Sequence, residues 1–179
     1  MHPLNLFAHC PKCGSHNFVE NDFKSKRCGD CGFTYYLNPS AATVAVITDG
    51  NGRILVATRS KEPAKGTLDL PGGFCDCGEN VEEGIAREVL EETGLKVTDT
   101  RYLFSIPNLY HYSGMNIPTM DMFFLCGVEQ GGVLRADDDV EQLQWMSLDE
   151  IDSSLFGLNS IRKGVEMLKA RACNGRGLV

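Results

Sequence analysis

Residues 73–95 read GFCDCGENVEEGIAREVLEETGL, and this stretch constrains the fold more than any other part of the chain. A glycine-rich turn leads into a run that predicts a helix from Glu79 to Thr93, followed by Gly94 where helices commonly end in a left-handed residue. Apolar residues on one side of this helix are expected to pack on a sheet, namely Ala86, Val89 and Leu90.

The other side of the predicted helix is acidic. Glu88, Glu91 and Glu92 stand at i, i+3 and i+4 and therefore project from one face. Carboxylates this close repel one another, and a divalent cation such as Mg²⁺ or Mn²⁺ removes the repulsion while accepting phosphate oxygens as further ligands. One glutamate can take a proton from a metal-bound water. The alternative is a merely solvated acidic face.

The whole string resembles the signature of the Nudix hydrolases. The nine matching positions are Gly73, Glu79, Arg87, Glu88, Val89, Glu91, Glu92, Gly94 and Leu95. The likeness extends from about residue 41 to residue 151, and it implies an α/β fold, an α/β/α sandwich around a mixed sheet. It also implies that Mg²⁺ or Mn²⁺ is bound by Glu88, Glu91, Glu92 and the Gly73 carbonyl, with Arg87 and Glu79 orienting the ligands and the loop.

Four of the eight cysteines form an ordered pattern near the start of the chain. Cys10 and Cys13 make one C-x-x-C, and Cys28 and Cys31 make a second. In a reducing compartment these spacings indicate a structural zinc site; two unrelated thiol loops are the alternative. We therefore predict a zinc ribbon over residues 1–38, where few hydrophobic residues are available for a core, and a Nudix domain over residues 39–179.

A zinc ribbon before a Nudix domain resembles the NADH and FAD pyrophosphatase branch. That branch implies substrates of the form ADP-X, cut to AMP and a second phosphate ester. Residues 105–112 read SIPNLYHY, which is not the motif that NADH pyrophosphatases carry in this region. This difference argues against selectivity for NADH, which stays one member of the ADP-X class, while ADP-ribose, FAD and dinucleoside polyphosphates stay open as substrates.

Outside the signature, several residues are weaker candidates. Nudix enzymes commonly recruit one more acidic metal ligand from a later loop, for which Asp139 is the first choice and Glu141 the second; an ordinary acidic turn is the alternative. Arg59 and Lys65 are candidates for phosphate binding, and Tyr110 and Tyr112 for stacking on a base, against simple solvation and simple packing respectively.

Charge and hydropathy limit the partners that the chain can have. The net charge of −7 and the absence of a basic block argue against a nucleic-acid partner. No apolar run reaches the ~18–20 residues of a membrane span, and no signal peptide is recognisable, so we expect a cytoplasmic protein. The expected partner is a small-molecule nucleotide substrate, and a homodimer is left open.

Three functions of different classes compete. The first is a Nudix-type pyrophosphatase, a hydrolase of phosphorus-containing anhydrides. The second is a ligand-sensing or binding module without hydrolysis, which would be expected to have lost carboxylates that this chain retains. The third is an isomerase on the same fold, and such enzymes usually depart from the intact signature. The sequence therefore favours the hydrolase.

Overall fold

The computed structural model describes residues 1–137 and 139–173. Within it the chain forms two compact units. Unit 1 contains Met1–Pro39 and also Leu109–Pro118, and unit 2 contains Ser40–Asn108 and the chain from Thr119 onward. The domain boundary that we placed between residues 38 and 39 stays a prediction, and the inclusion of residues 109–118 in unit 1 is a feature that the sequence pattern did not reveal.

Unit 1 is built on a small antiparallel sheet. Strands β1 (Phe18–Asp22), β2 (Ser25–Cys28) and β3 (Thr34–Tyr36) lie in the order β1-β2-β3. Its buried cluster consists of Cys10, Phe18 and Cys28, with Phe7 and Phe33 packed against them. Such a small core is typical of a domain that needs a metal or another cross-link for stability.

Unit 1 also contains a cavity of about 690 Å³. Residues of the N-terminal segment and of residues 109–118 line it together, and its apolar lining includes Leu6, Phe23, Leu37, Leu109, Met115 and Pro118. The two stretches of unit 1 therefore share one apolar surface although they are far apart in the sequence.

Two three-stranded sheets lie in unit 2, apart from their strand residues within 109–118, which belong to unit 1. The first has the order β4-β8-β7, with β4 at Ser40–Ile47, β7 at Val97–Tyr112 and β8 at Met115–Val128. The second has the order β6-β5-β9, with β5 at Arg53–Arg59, β6 at Leu68–Asp69 and β9 at Val140–Ser147. Because β4 pairs with β8 in parallel and β5 pairs with β9 antiparallel, the architecture is mixed.

Strand β4 explains how the two helices of unit 2 are arranged. Its side chains alternate between two hydrophobic clusters: Val44 and Val46 join one, and Ala45 and Ile47 join the other. Helix α1 (Val81–Thr93) contributes Ile85 and Val89 to the second cluster, and helix α2 (Asn159–Cys173) contributes Ile161, Val165 and Leu168 to the first. Since alternate strand residues face opposite sides, the helices cover opposite faces, as an α/β/α sandwich requires.

Two details of α1 differ from the prediction. The helix begins at Val81 instead of Glu79, because Asn80 caps it. The Asn80 side chain accepts a hydrogen bond from the backbone N–H of Glu83, and the Glu83 side chain accepts one from the backbone N–H of Asn80, which together form a capping box. The expectation for Leu90 was wrong, since this residue is 51% exposed, and Ile85 is buried instead.

Strands β7 and β8 form a long hairpin. β7 continues to Tyr112, and β8 begins after Ser113 and Gly114. Among the described residues, no helix combines the length and the apolar character that crossing a membrane requires.

Candidate active site and cysteine cluster

The glycine loop before α1 is held against strand β4. The N–H of Thr43 donates to the Gly73 carbonyl at 2.8 Å, and the N–H of Ala45 donates to the Pro71 carbonyl at 2.7 Å. Gly72 has φ +141°, and a Cβ there would lie 2.1 Å from the Thr43 carbonyl oxygen. Only glycine allows the loop to run this close to the strand.

Gly73 is needed for a second reason. A Cβ at this position would lie 2.6 Å from the carboxylate of Glu88. The missing side chain therefore creates the space in which Glu88 meets the loop. The structure brings together Gly73 and Glu88, which the sequence assigned to the same metal site, although the Gly73 carbonyl also accepts the Thr43 N–H described above. Metal ligation by this carbonyl stays a prediction.

Arg87 connects the acidic residues of the signature. Its guanidinium donates to Glu79 at 2.7 and 3.1 Å, to Glu88 at 2.8 Å and to Glu91 at 3.1 Å. It also donates to the Phe74 carbonyl at 3.0 Å. Hydrogen bonds to Glu79 and then Glu88 raise the pKa of Arg87 further above its usual value, while the bond from Arg87 lowers the pKa of Glu79. Arg87 thus fixes both the loop and two predicted metal ligands.

Glu92 is the buried member of the carboxylate group. Its side chain accepts the Gly72 N–H at 2.9 Å, and the residue is only 7% exposed. Burial raises the pKa of Glu92 to about 8, and the charges of Asp69, Glu88 and Asp139 act in the same direction. A nearby cation favours the ionised form of a carboxyl group in this environment. The acidic groups therefore suit a hard divalent cation with oxygen ligands.

Asp69 is a member of this group that sequence reasoning missed. It is buried at the end of β6, its Oδ2 lies 2.5 Å from the Arg59 guanidinium, and burial raises its pKa. The guanidinium also donates to the Pro63 carbonyl at 2.8 Å. Arg59, predicted to bind phosphate, thus lies against Asp69, and its contact with substrate stays a prediction. The one available signal was an acid between Leu68 and Leu70, inside an apolar run.

The other predicted residues are distributed as follows. Asp139 lies next to β5, where its carbonyl accepts the Ser60 N–H at 2.9 Å, and its charge acts on Glu92. Glu141 is exposed on β9, and Lys65 is exposed in the β5–β6 loop.

The two tyrosines predicted to stack on a base lie in the other unit. The rings of Tyr110 and Tyr112 stack on each other with centroids 6.4 Å apart, and both residues belong to unit 1, whereas the signature residues belong to unit 2.

The four N-terminal cysteines converge in unit 1. Their sulfur atoms all lie within 4.8 Å of one another, and both the Cys10–Cys31 and Cys13–Cys28 distances are 3.7 Å. A disulfide would require about 2.05 Å. Four sulfurs at ~2.3 Å from a central zinc form a tetrahedron with edges of about 3.8 Å. The observed spacing therefore fits one zinc ion.

The backbone around the cysteines supports the same geometry. The N–H of Gly14 donates to the Cys10 carbonyl at 2.8 Å, and the N–H of Gly32 donates to the Cys28 carbonyl at 3.0 Å. Both glycines have positive φ, +75° and +73°. Each C-x-x-C-G segment is thus a tight turn that points its two thiols inward.

Comparison with known proteins accounts for these features. The NUDIX domain family profile matches residues 38–166. The chain belongs to the Nudix family. The match confirms the predicted family, the α/β fold class and the predicted enzyme class of Nudix-type pyrophosphatase. The cluster of four cysteines before the Nudix domain fits the predicted zinc ribbon.

Two relatives and one solved structure illustrate the range of similar proteins. This Nudix chain is 35% identical over 133 residues to the ADP-ribose pyrophosphatase of Methanocaldococcus jannaschii, covering 73% of this chain and 75% of that protein. It is 29% identical over 150 residues to the NAD-capped RNA hydrolase NudC of Vibrio parahaemolyticus, covering 84% of this chain and 55% of that protein. This chain thus spans about half the length of the NudC relatives.

The solved structure supports the fold alone. It is a Nudix hydrolase from Nitrosomonas europaea with a TM-score of 0.69 and 17% sequence identity, and the alignment covers 94% of each chain. At this level of identity it carries no argument about substrate.

Proposed function

We propose that this Nudix protein is a metal-dependent hydrolase that cleaves the pyrophosphate bond of an ADP-X compound, such as ADP-ribose, FAD, NADH or a dinucleoside polyphosphate. The observation that carries the proposal is the buried carboxylate of Glu92 beside Glu88, Asp69 and Asp139. This concentration of negative charge excludes a free phosphate compound and admits one that arrives with a divalent cation. The relatives named for ADP-ribose and for NAD-capped RNA act on ADP-containing compounds, which supports the same class.

Glu88, Glu91, Glu92 and the Gly73 carbonyl would hold Mg²⁺ or Mn²⁺, with Asp139 as a further ligand. The bound cation supplies neutralisation of phosphate charge and a lowered pKa for its water. Arg87 keeps Glu88 and Glu91 in position through bonds of 2.8 and 3.1 Å. One of these glutamates would accept the proton of the attacking water.

In unit 1 we assign zinc to Cys10, Cys13, Cys28 and Cys31. Four thiolates complete a tetrahedron and leave no position for a water, so the role of this ion is structural. Hydrolysis is assigned to the oxygen ligands of unit 2 alone.

The test is a substrate panel with Mg²⁺ or Mn²⁺ and identification of the products by mass. The panel contains ADP-ribose, NADH, FAD, diadenosine polyphosphates, oxidised nucleoside triphosphates and an NAD-capped RNA. We expect AMP and a second phosphate ester from at least one ADP-X compound, and much slower product formation by a Glu92→Gln control purified in the same way. If the protein cleaves none of the ADP-X compounds in the panel, the proposal is contradicted.

The second candidate is a ligand-sensing module, and the same panel separates it from the enzyme. Such a module would raise its melting temperature with ADP-ribose or another ADP-X compound without forming products. Retention of the whole acidic set favours the enzyme.

Three expectations from the sequence stay predictions: a lack of nucleic-acid binding, a cytoplasmic location and a possible homodimer. The NAD-capped RNA in the panel tests the first of them.

A further inference from the structure

Lys61 lies beside the carboxylate group, a position that no sequence motif indicated. It is the second residue after β5, and its ammonium group forms an ion pair with the carboxylate of Asp139. The neighbouring N–H of Ser60 donates to the Asp139 carbonyl at 2.9 Å, so the backbone keeps the two segments adjacent. Both side chains of the pair are partly open to solvent, 58% for Lys61 and 45% for Asp139.

The two arginines near the acidic group are less exposed than Lys61. Arg87 donates to three glutamates and a carbonyl, and its side chain is 27% exposed. Arg59 lies between Asp69 and the Pro63 carbonyl, and its side chain is 14% exposed. Lys61 by contrast carries its charge on a long, flexible stem, and an exposed ion pair of this kind is easily exchanged.

Asp139 lies between Lys61 and the predicted metal ligands. The N–H of Asp137, two residues earlier, donates to the Glu92 carbonyl at 3.3 Å, which holds this turn beside the end of α1, and the charge of Asp139 is one of the three that raise the pKa of Glu92. The same carboxylate is the ion-pair partner of Lys61. A divalent cation among these carboxylates would compete with Lys61 for Asp139. A lysine displaced in this way would be left next to the phosphate groups that the cation brings.

We propose that Lys61 is the counter-cation of Asp139 in the metal-free protein and becomes a ligand of the substrate diphosphate once a divalent cation takes over that carboxylate. The inference rests on the proposed function, because it needs a metal-bound diphosphate at this site. A lysine is suited to such an exchange because its ammonium is a compact charge that binds phosphate oxygens without a fixed geometry.

Replacement of Lys61 should strengthen the binding of the metal ion and weaken the binding of a diphosphate. The first readout is the affinity for Mn²⁺ alone, measured by electron paramagnetic resonance of the free ion. Lys61→Met should bind Mn²⁺ about two- to fivefold more tightly than the wild type, as expected when a competing exposed ion pair is removed. Lys96→Met is the matched control, because Lys96 forms a similarly exposed pair with Glu129 at 2.8 Å, and its affinity for Mn²⁺ should be unchanged.

The second readout is binding of α,β-methylene-ADP, a diphosphate analogue that resists cleavage, at saturating Mn²⁺. Lys61→Met should bind it about tenfold more weakly, Lys61→Arg should recover most of the affinity, and Lys96→Met should match the wild type. A merely structural role of Lys61 would instead weaken metal and analogue binding together.

A double variant tests the link to Asp139 itself. In an Asp139→Asn background, Lys61→Met should no longer change the affinity for Mn²⁺, because the pair is already broken. Weaker Mn²⁺ binding by Lys61→Met, or unchanged analogue binding, would overturn the proposal. Neither readout requires turnover, so a protein that binds both probes as expected but cleaves nothing in the substrate panel would contradict the proposed hydrolysis and leave this inference standing.

Discussion

The N–H of Gly72 donates to the carboxylate of Glu92 at 2.9 Å, which ties the loop before helix α1 to the last turn of that helix. The bond joins residues twenty positions apart, and it holds the buried carboxylate at the same loop whose next residue, Gly73, makes room for Glu88. Loop and helix therefore form one rigid support for the acidic group.

We expect Glu88→Gln and Glu92→Gln each to lower turnover by about 10²–10⁴, the range for loss of a catalytic base or a comparable group. Both changes preserve shape and remove charge from the carboxylate group. The measurement is the steady-state rate with the best compound of the substrate panel. Glu82→Gln, on the exposed side of the same helix, serves as the control and should retain the wild-type rate. Near-normal rates for both test variants would exclude the assignment.

Mg²⁺ should raise the melting temperature of the wild type, because it binds the folded carboxylate group and relieves its repulsion. At one hundred times the dissociation constant, the gain is about 2.7 kcal/mol, or roughly 5–10 °C for a chain of this size. Glu91→Gln should reduce the shift, and Glu82→Gln should not. A melting curve that does not respond to millimolar Mg²⁺ would count against a preformed site.

The stability of the protein without Mg²⁺ should fall as the pH rises from about 5 to 8. Burial raises the pKa of Glu92 from 4.5 to about 8, so in this interval the folded state binds the proton more tightly than the unfolded state does. At about 1.4 kcal/mol per pKa unit, the loss is on the order of 4 kcal/mol.

Urea unfolding at several pH values, in buffer freed of Mg²⁺ over a chelating resin, measures this slope. Glu92→Gln removes the titrating group and should flatten the dependence. A variant that shows the same slope as the wild type would show that other groups are responsible.

Zinc should be present at one ion per chain and should be required for the structure of residues 1–38. Cys13→Ser removes one of four ligands, so it should release the ion and leave that segment open to proteolysis. Cys173→Ser, at the exposed end of α2, is the matched control and should keep its zinc. Elemental analysis and limited proteolysis give the answer. Purified protein with no zinc and with Cys10–Cys13 and Cys28–Cys31 disulfides would refute the ribbon.

The sequence was informative where local spacing determines structure. Helical periodicity located α1 and the common face of Glu88 and Glu92, and the two C-x-x-C-G segments located the cysteine cluster. These features depend on neighbours within a few residues along the chain. The position of Gly94 likewise predicted the end of α1, where the structure has φ +72°.

Contacts between distant segments could not be predicted in the same way. The Arg59–Asp69 pair depends on the register of β5 with β6, and the Lys61–Asp139 pair depends on where β9 begins beside β5. Polar residues in loops carry no periodicity that would reveal either pair. The exposure of Leu90 was missed for a related reason, because a helix face that looks apolar in sequence is buried only as far as the sheet reaches.

The make-up of unit 1 has a consequence for the order in which the chain folds during synthesis. The cysteines can gather around a metal ion as soon as residues 10–31 have left the ribosome, but the apolar cavity of unit 1 lacks one wall until residue 118 has followed. During that interval Leu6, Phe23 and Leu37 lack the neighbours that residues 109–118 contribute to the lining of this cavity. The N-terminal part of unit 1 is therefore made well before the segment that completes its cavity, which leaves it open to wrong contacts and to chaperones while residues 40–108 of unit 2 are being made.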